Sequence, residues 1–246
     1  MQNRELCGNY SIYTSKHHYV REAWLDREHI ERMIENKYSL LLFFLISLMV
    51  VSILSVSNFT VYSLTVSFLS LAVYAIMLSI LKAHRFLFIA YIAFAFMALL
   101  FHYLAVFVLN SMPLGIAAMI VYIVMIGLII IFMIRRIFSE KLVTGDTVKG
   151  GISVYILMAS WWQLIYYLFW VLDPNAFRFS SGVGQKTDFL YYSIITMTTL
   201  GFGDIVPRSY PARVFTMLQA MVGQLYLAVF VARLVGLHIA SRVHHK

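Results

Sequence analysis

The sequence predicts an all-α membrane protein of six transmembrane helices. Three observations carry that expectation. Of the 246 residues, 61% are hydrophobic and only 12% charged, with a mean hydropathy of +0.82, a balance outside the range of soluble domains. Six apolar runs of roughly twenty residues or more cross the chain, and each suffices to span a hydrocarbon core of about 30 Å as a helix. Lys and Arg fall almost wholly on one side of those six crossings.

The runs are Tyr38–Ser57, Thr60–Leu81, Phe86–Leu109, Leu114–Ile134, Ile152–Leu172 and Ala212–Leu234. Ser57-Asn58-Phe59 gives a tight turn between the first two, and Asn110-Ser111-Met112-Pro113 separates the third from the fourth. A basic end at Arg135-Arg136, followed by the glycine-bearing Val143–Gly151, makes the best domain boundary. The expected division is a cytoplasmic arm over 1–37, a four-helix membrane unit over 38–136, a cytoplasmic linker over 137–151, a pore-type module over 152–240 and a cytoplasmic tail over 241–246.

Basic residues set the orientation. Arg4, Lys16, Arg21, Arg27, Arg32 and Lys37 precede the first run; Lys82 and Arg85 join the second to the third; Arg135, Arg136, Lys141 and Lys149 join the fourth to the fifth; Arg233, Arg242 and Lys246 close the chain. All lie on one face after six crossings, which places both termini in the cytoplasm and the protein in the plasma (cell inner) membrane. Arg178, Lys186, Arg208 and Arg213 stand outside. The net charge of +8 reads as flanks facing anionic lipid in preference to nucleic acid. In the arm, Val20, Trp24, Ile30 and Ile34 form a partial apolar stripe, beside the opposite charges Arg27–Glu31 and Glu28–Arg32 at i,i+4,. It reads either as an interfacial helix or as a solvated helix leading into the first span. Cys7 is the only cysteine, so there is no intrachain disulfide or cysteine metal site. The polar first residues do not form a cleavable signal peptide.

Thr198-Thr199-Leu200-Gly201-Phe202-Gly203-Asp204 organises the rest. Glycines at alternate positions allow backbone conformations that Cβ-bearing residues resist, and a threonine hydroxyl adds an oxygen at the end of the row. Asp188–Met197 reads as a short helix capped by Thr187 or Asp188,, running directly into this stretch. Ile205-Val206-Pro207 leaves it, and Gly223 follows twenty residues after Gly203.

This arrangement over 152–240 resembles the pore of potassium channels, whose selectivity filter commonly reads TVGYG followed by Asp. Leu200 stands for Val and Phe202 for Tyr. The resemblance implies a re-entrant pore helix and filter in a tetrameric channel. It implies that potassium ions are coordinated by the carbonyls of Thr199, Leu200, Gly201 and Phe202 with the Thr199 hydroxyl, and that Gly203 completes the filter. Thr198, Asp204 and Tyr192 become filter supports at its base and outer mouth, with Tyr192 reaching toward Asp204. Four Asp204 side chains would form a ring that draws cations. Phe202 lacks the hydroxyl of the usual Tyr, and Ile195 stands where some members carry a buried glutamate. Gly223 takes the position of a gating hinge; its alternative role is close helix packing. One motif per chain implies a homotetramer.

Gln219 and Gln224 are polar in an apolar run and need partners or water; the sequence leaves open which faces a central cavity. Arg233 lies ten residues after Gly223, about 15 Å further along a helix. It is expected to turn outward, to lipid phosphates or to an acidic side chain on a neighbouring helix. His102 reads as a packing residue inside the third run, and His17-His18 and His244-His245 as exposed pairs. No carboxylate pair, activated nucleophile or phosphate loop has useful spacing, so an enzyme is not expected. The expected function is passive potassium conduction with no cofactor beyond the permeant ions. The partners are further copies of the chain and membrane lipids, and no ligand-binding domain is expected after the last run. The rival readings are a weakly selective cation channel of the same architecture and a non-conducting regulatory subunit.

The fourth run has no Lys or Arg before Arg135, whereas steep voltage dependence needs several charges within the field. A conductance–voltage relation in reconstituted protein should be shallow. Steep activation, with gating currents that persist when permeant ions are removed, would overturn this.

Overall fold

The computed structural model describes residues 37–54, 96, 111–140, 144–180, 182 and 184–243. The expectations for the arm, the second and third runs and the histidines at 17, 18, 102, 244 and 245 lie outside these residues. The described elements are α1 (Lys37–Leu54), α2 (Met112–Ser139), α3 (Gly145–Leu172), β1 (Phe177–Phe179), α4 (Asp188–Met197), β2 (Ile205–Pro207) and α5 (Tyr210–Val243). Among the described residues, α2, α3 and the Tyr210–Ala240 part of α5 are long and apolar enough to cross a membrane; Tyr38–Val51 of α1 is a shorter apolar helix.

Local chemistry sets the helix ends. Ser111 stands before α2 and a proline occupies its first turn, where the missing N–H costs nothing. Arg136 lies in its last turn, beside the negative end of the helix dipole. Thr144 and Thr147 close a reciprocal cap at the start of α3: the Thr144 hydroxyl accepts from the Thr147 amide at 3.2 Å, and the Thr144 amide donates to the Thr147 hydroxyl at 3.3 Å,. Helix α3 therefore begins at Gly145, and the stretch expected as a linker up to 151 supplies its first two turns. The glycines there serve close packing. A Cβ on Gly150 would sit 3.2 Å from both Ile137 and Tyr38, and one on Gly151 would overlap the Phe230 ring.

Helix α3 is the hub, packing against α1, α2, α4 and α5. Its N-terminal half meets Tyr38, Leu41 and Leu45 of α1, Met125, Ile129, Met133 and Ile137 of α2, and Tyr226 and Phe230 of α5. Its other half meets an aromatic cluster around Phe177, Phe189 and Tyr192. The opposite face of α2 exposes Ile120, Val124, Leu128 and Ile131, an apolar surface suited to lipid. Lipid tails provide no hydrophobic drive between helices, so close approach and interhelical hydrogen bonds matter, the latter worth roughly 0.6–2 kcal/mol each. Trp161 Nε1 donates to the Ile123 carbonyl at 2.7 Å, Lys149 Nζ to Ser39 Oγ at 2.7 Å and Tyr226 OH to the Gly151 carbonyl at 2.8 Å.

Two three-residue strands, absent from the sequence expectations, pair antiparallel with Phe177 opposite Pro207 and Phe179 opposite Ile205. They flank α4 and its following loop, fastening the chain before that segment to the chain after it. Ser209 then caps α5, its hydroxyl accepting from the Ala212 amide at 3.4 Å,.

Arg233 turns toward the end of α2, where its protein partners are backbone carbonyls in place of the expected acidic side chain. Nη1 donates to the Ile137 carbonyl at 2.6 Å and Nη2 to the Glu140 carbonyl at 2.7 Å, with the guanidinium 5.0 Å from the centre of the Phe138 ring. The last carbonyls of a helix lack intrahelical donors, and Arg233 supplies two.

Gly223 is buried inside the continuous helix α5. A Cβ there would approach Met197 Cγ to 2.7 Å and the Met197 carbonyl oxygen to 3.0 Å, so the end of α4 rests on bare backbone. This contact gives the glycine a packing reason. Gly223→Ala should lower stability in detergent by about 1–3 kcal/mol, and adding Met197→Ala should restore part of that loss. Unchanged melting, with an altered open probability that Met197→Ala does not correct, would show a hinge instead.

Candidate functional site

Helix α4 spans Asp188–Met197, the bounds expected from sequence. Asp188 stands in its first turn, favourably placed on the helix dipole, and its carboxylate accepts from the Gln185 amide at 2.8 Å. At the other end Thr198 closes the helix. Its amide donates to the Ile194 carbonyl at 2.9 Å and its hydroxyl to the same oxygen at 2.8 Å.

Beyond Thr198 the backbone leaves helical geometry. Thr199, Gly201 and Gly203 have φ of 60°, 49° and 79°, while Leu200 and Phe202 between them do not enter the positive region. Glycine accepts such angles freely. Thr199, a β-branched residue, does not, and it carries strain of about 1–3 kcal/mol that the surroundings must hold. The hold is visible in the amides. Thr199 N donates to the Thr196 carbonyl at 3.1 Å, Leu200 N to the Ile195 carbonyl at 2.9 Å and Gly201 N to the same Ile195 oxygen at 3.2 Å. The first half of the loop is thus tied to the last turn of α4. Its second half is tied to the strands through Ser180 N, which donates to the Asp204 carbonyl at 2.8 Å.

The Leu200 and Phe202 side chains are 60% and 67% exposed. A single chain gives them nothing to pack behind. The Asp204 carboxylate accepts from the Ile205 amide at 3.1 Å, and its aromatic partner is Tyr191. Tyr192, expected to reach Asp204, is buried and bonds Thr216 Oγ1 at 2.7 Å. Thr216 gives its own proton to the Ala212 carbonyl at 2.7 Å, so Tyr192 is the donor. The side chain still braces α4, but against α5 and away from the loop's outer end. Adjacent residues on a helix point about 100° apart, so the two tyrosines serve different neighbours.

Tyr155 also escaped the sequence reading: its hydroxyl donates to the Met197 carbonyl at 3.1 Å, fixing the end of α4 from the α3 side. Behind these contacts, Tyr166, Phe177, Phe189 and Tyr192 stack edge to face with centroids 5.1–5.7 Å apart, the preferred aromatic geometry. Gln224 stands on the exposed face of α5, and Gln219 is buried. Among the described residues no group of three or more His, Cys, Asp or Glu could hold a metal ion. The oxygens of interest in the loop are backbone carbonyls and threonine hydroxyls.

Comparison with known proteins agrees with this geometry. Residues 154–238 match the family model described as ion channel. The chain is 31% identical over 99 residues to the two-pore potassium channel 4 of Arabidopsis thaliana, covering 39% of this chain and 34% of that protein. The chain therefore spans about a third of the length of that curated relative. No solved structure matches. The matched segment contains α4, the 198–204 loop and most of α3 and α5. Over residues 154–238 the chain is thus similar to the ion channel family, and a stretch of 99 residues is similar to part of a potassium channel.

Proposed function

We propose that the protein is a passive, potassium-selective channel formed by four copies of the chain. The observation that carries this reading is the alternation of left-handed backbone at Thr199, Gly201 and Gly203, directly at the end of a re-entrant helix. Alternating the sign of φ removes the strand-like reversal of successive peptide groups. It favours a row of carbonyls on one side, which can replace an ion's hydration shell. In this reading Thr199, Leu200, Gly201 and Phe202 supply carbonyl ligands to potassium, with the Thr199 hydroxyl at the inner end, and Asp204 carries negative charge to the outer mouth.

Four-fold assembly is supported by what one chain leaves uncovered. Irregular backbone at membrane depth persists only where protein or a water-filled path surrounds it. Next to the exposed loop, Met217, Leu218, Met221, Val222 and Leu225 of α5 are also exposed. Neighbouring copies would cover both, with Leu200 and Phe202 packed behind the ion path. The six spans, the non-voltage-sensing four-helix unit over 38–136, the pore module over 152–240, the plasma membrane and cytoplasmic termini belong to the same proposal. So do contacts with anionic lipids. One observation favours weaker selectivity: the Phe202 ring offers no hydroxyl with which to brace the filter.

Reversal potentials of reconstituted protein between potassium and sodium solutions test the reading. The expected result is a potential near that of potassium. Gly201→Ala forces a Cβ into φ of 49°, a strain of about 1–2 kcal/mol in each copy, and should abolish current or selectivity. Gly182→Ala, at φ 81° with nothing within 4 Å of the added carbon, imposes similar strain in the outer loop and should leave the potential unchanged. Equal permeation of both ions by the unsubstituted protein, or unchanged selectivity in assembled Gly201→Ala, would refute the proposed ion path.

A further inference from the structure

We infer that Gln219 is a positioning residue for ion selection, holding α4 at the depth that gives the filter its conducting shape. This rests on the potassium-selective reading above. Gln219 is fully buried in an otherwise apolar stretch of α5, where an amide without partners would be costly. All its polar atoms are engaged. Nε2 donates to the Ser193 carbonyl at 3.0 Å and to Ser193 Oγ at 2.7 Å, and Oε1 accepts from Tyr166 OH at 2.6 Å. Ser193 Oγ in turn donates to the Ala159 carbonyl at 2.7 Å. The Ser193 carbonyl can only accept, which fixes the orientation of the amide. One side chain of α5 thereby joins the middle of α4 to two places on α3.

The connection to the filter runs through the backbone. Ser193 lies two residues before Ile195, whose carbonyl takes the amides of both Leu200 and Gly201. Displacing α4 along its axis moves that oxygen, and with it the start of the filter. Inside the chain the filter side chains offer little resistance: Phe202 is 67% exposed without a polar atom, and Leu200 is 60% exposed. Ile195, at the position nearest the filter amides, is apolar. The position of α4 therefore depends on the Tyr155 bond to its last carbonyl and on bonds made further back, at Ser193 and at Tyr192, of which the Gln219 network is the buried one. Linked hydrogen bonds in a dry interior strengthen one another, so the three groups act together.

Four proteins are compared after reconstitution and a check of assembly: the unsubstituted chain, Gln219→Met, Gln219→Glu and Tyr226→Phe. Gln219→Met keeps the volume and removes every bond, and should lower the potassium-to-sodium permeability ratio about tenfold while conduction persists. A buried Glu stays protonated and keeps one donor and one acceptor, so Gln219→Glu should retain most of the ratio. Tyr226→Phe removes a bond from α5 to α3 that does not involve α4; it should melt earlier with the ratio unchanged. If Gln219→Met does not assemble, Ser193→Ala removes the hydroxyl bonds alone and should lower the ratio about threefold. An unchanged ratio in Gln219→Met or in Ser193→Ala overturns the inference, as does an equal fall in Tyr226→Phe. An unselective unsubstituted protein overturns the functional reading itself, and the inference falls with it.

Discussion

Six residues, Thr199 to Asp204, lie outside helical geometry between two helices long and apolar enough to cross a membrane, and the contacts around α4 converge there. Lipid offers no hydrogen bonds to an irregular backbone, so its polar groups must be met by protein or by water in a cavity. The Ile195 carbonyl meets two of the amides and Thr196 a third. That arrangement works only if α4 is itself fixed, and a ten-residue helix is too short to be stable by its own hydrogen bonds. Tertiary contacts must supply the rest: Tyr155 at its last carbonyl, Tyr192 and Ser193 on its sides, and the β1–β2 pair closing the segment. The strained φ at Thr199 survives because these contacts determine where its neighbours lie.

The exposed apolar surfaces of α2 and α5 differ in what they can meet. That of α2 is a stripe of Ile and Leu with lipid as an adequate solvent. That of α5 borders bare backbone polar groups, which lipid cannot serve. A single face of α5 packs within the chain, through Ala212, Gln219, Gly223, Tyr226 and Phe230, at spacings of seven, four, three and four residues that follow one side of a helix. The remaining surface includes Gln224, whose amide needs water or a polar partner. Further copies of the chain around an aqueous path satisfy both demands together, which is why the assembly belongs with the selectivity in one proposal.

Much of this site was legible in the sequence because its signals are local. Asp188 at a helix start, followed by ten residues and alternating glycines, specifies α4 and the loop without tertiary information. What escaped depends on rotation and on distant partners. Apolarity in a span reports burial in lipid and in protein alike, so the composition of α5 cannot tell which side holds Gln219 and which Gln224. Tyr191 and Tyr192 are equivalent in composition, and only the turn of α4 assigns one to Asp204 and the other to Thr216. Gly145, Gly150 and Gly151 suggested a linker because glycine weakens helices. Tyr38, Ile137 and Phe230, which approach the last two, come from three other helices. Strands of three residues are shorter than any alternation pattern can reveal.

Arg233 shows how a charge near the end of a long apolar helix is accommodated by a neighbouring helix. The guanidinium is always ionised and presents its donors in a planar fork. The end of α2 offers the Ile137 carbonyl, which also takes the capping Glu140 amide at 3.4 Å, and the Glu140 carbonyl beyond it, together with the negative end of a helix dipole,. The guanidinium complements these acceptors, and the Phe138 ring provides an aromatic face for the cation,. Lysine, a point charge without the fork, could not bridge both oxygens in the same plane. The contact also joins α5 to α2 next to the junction where α1 and α3 pack, with Lys149 and Ser39 bonded beside it. Displacing the inner end of α5 therefore means either dragging the end of α2 along or exposing its carbonyls. The same helix that holds α4 through Gln219 is thus anchored near its other end to the end of α2.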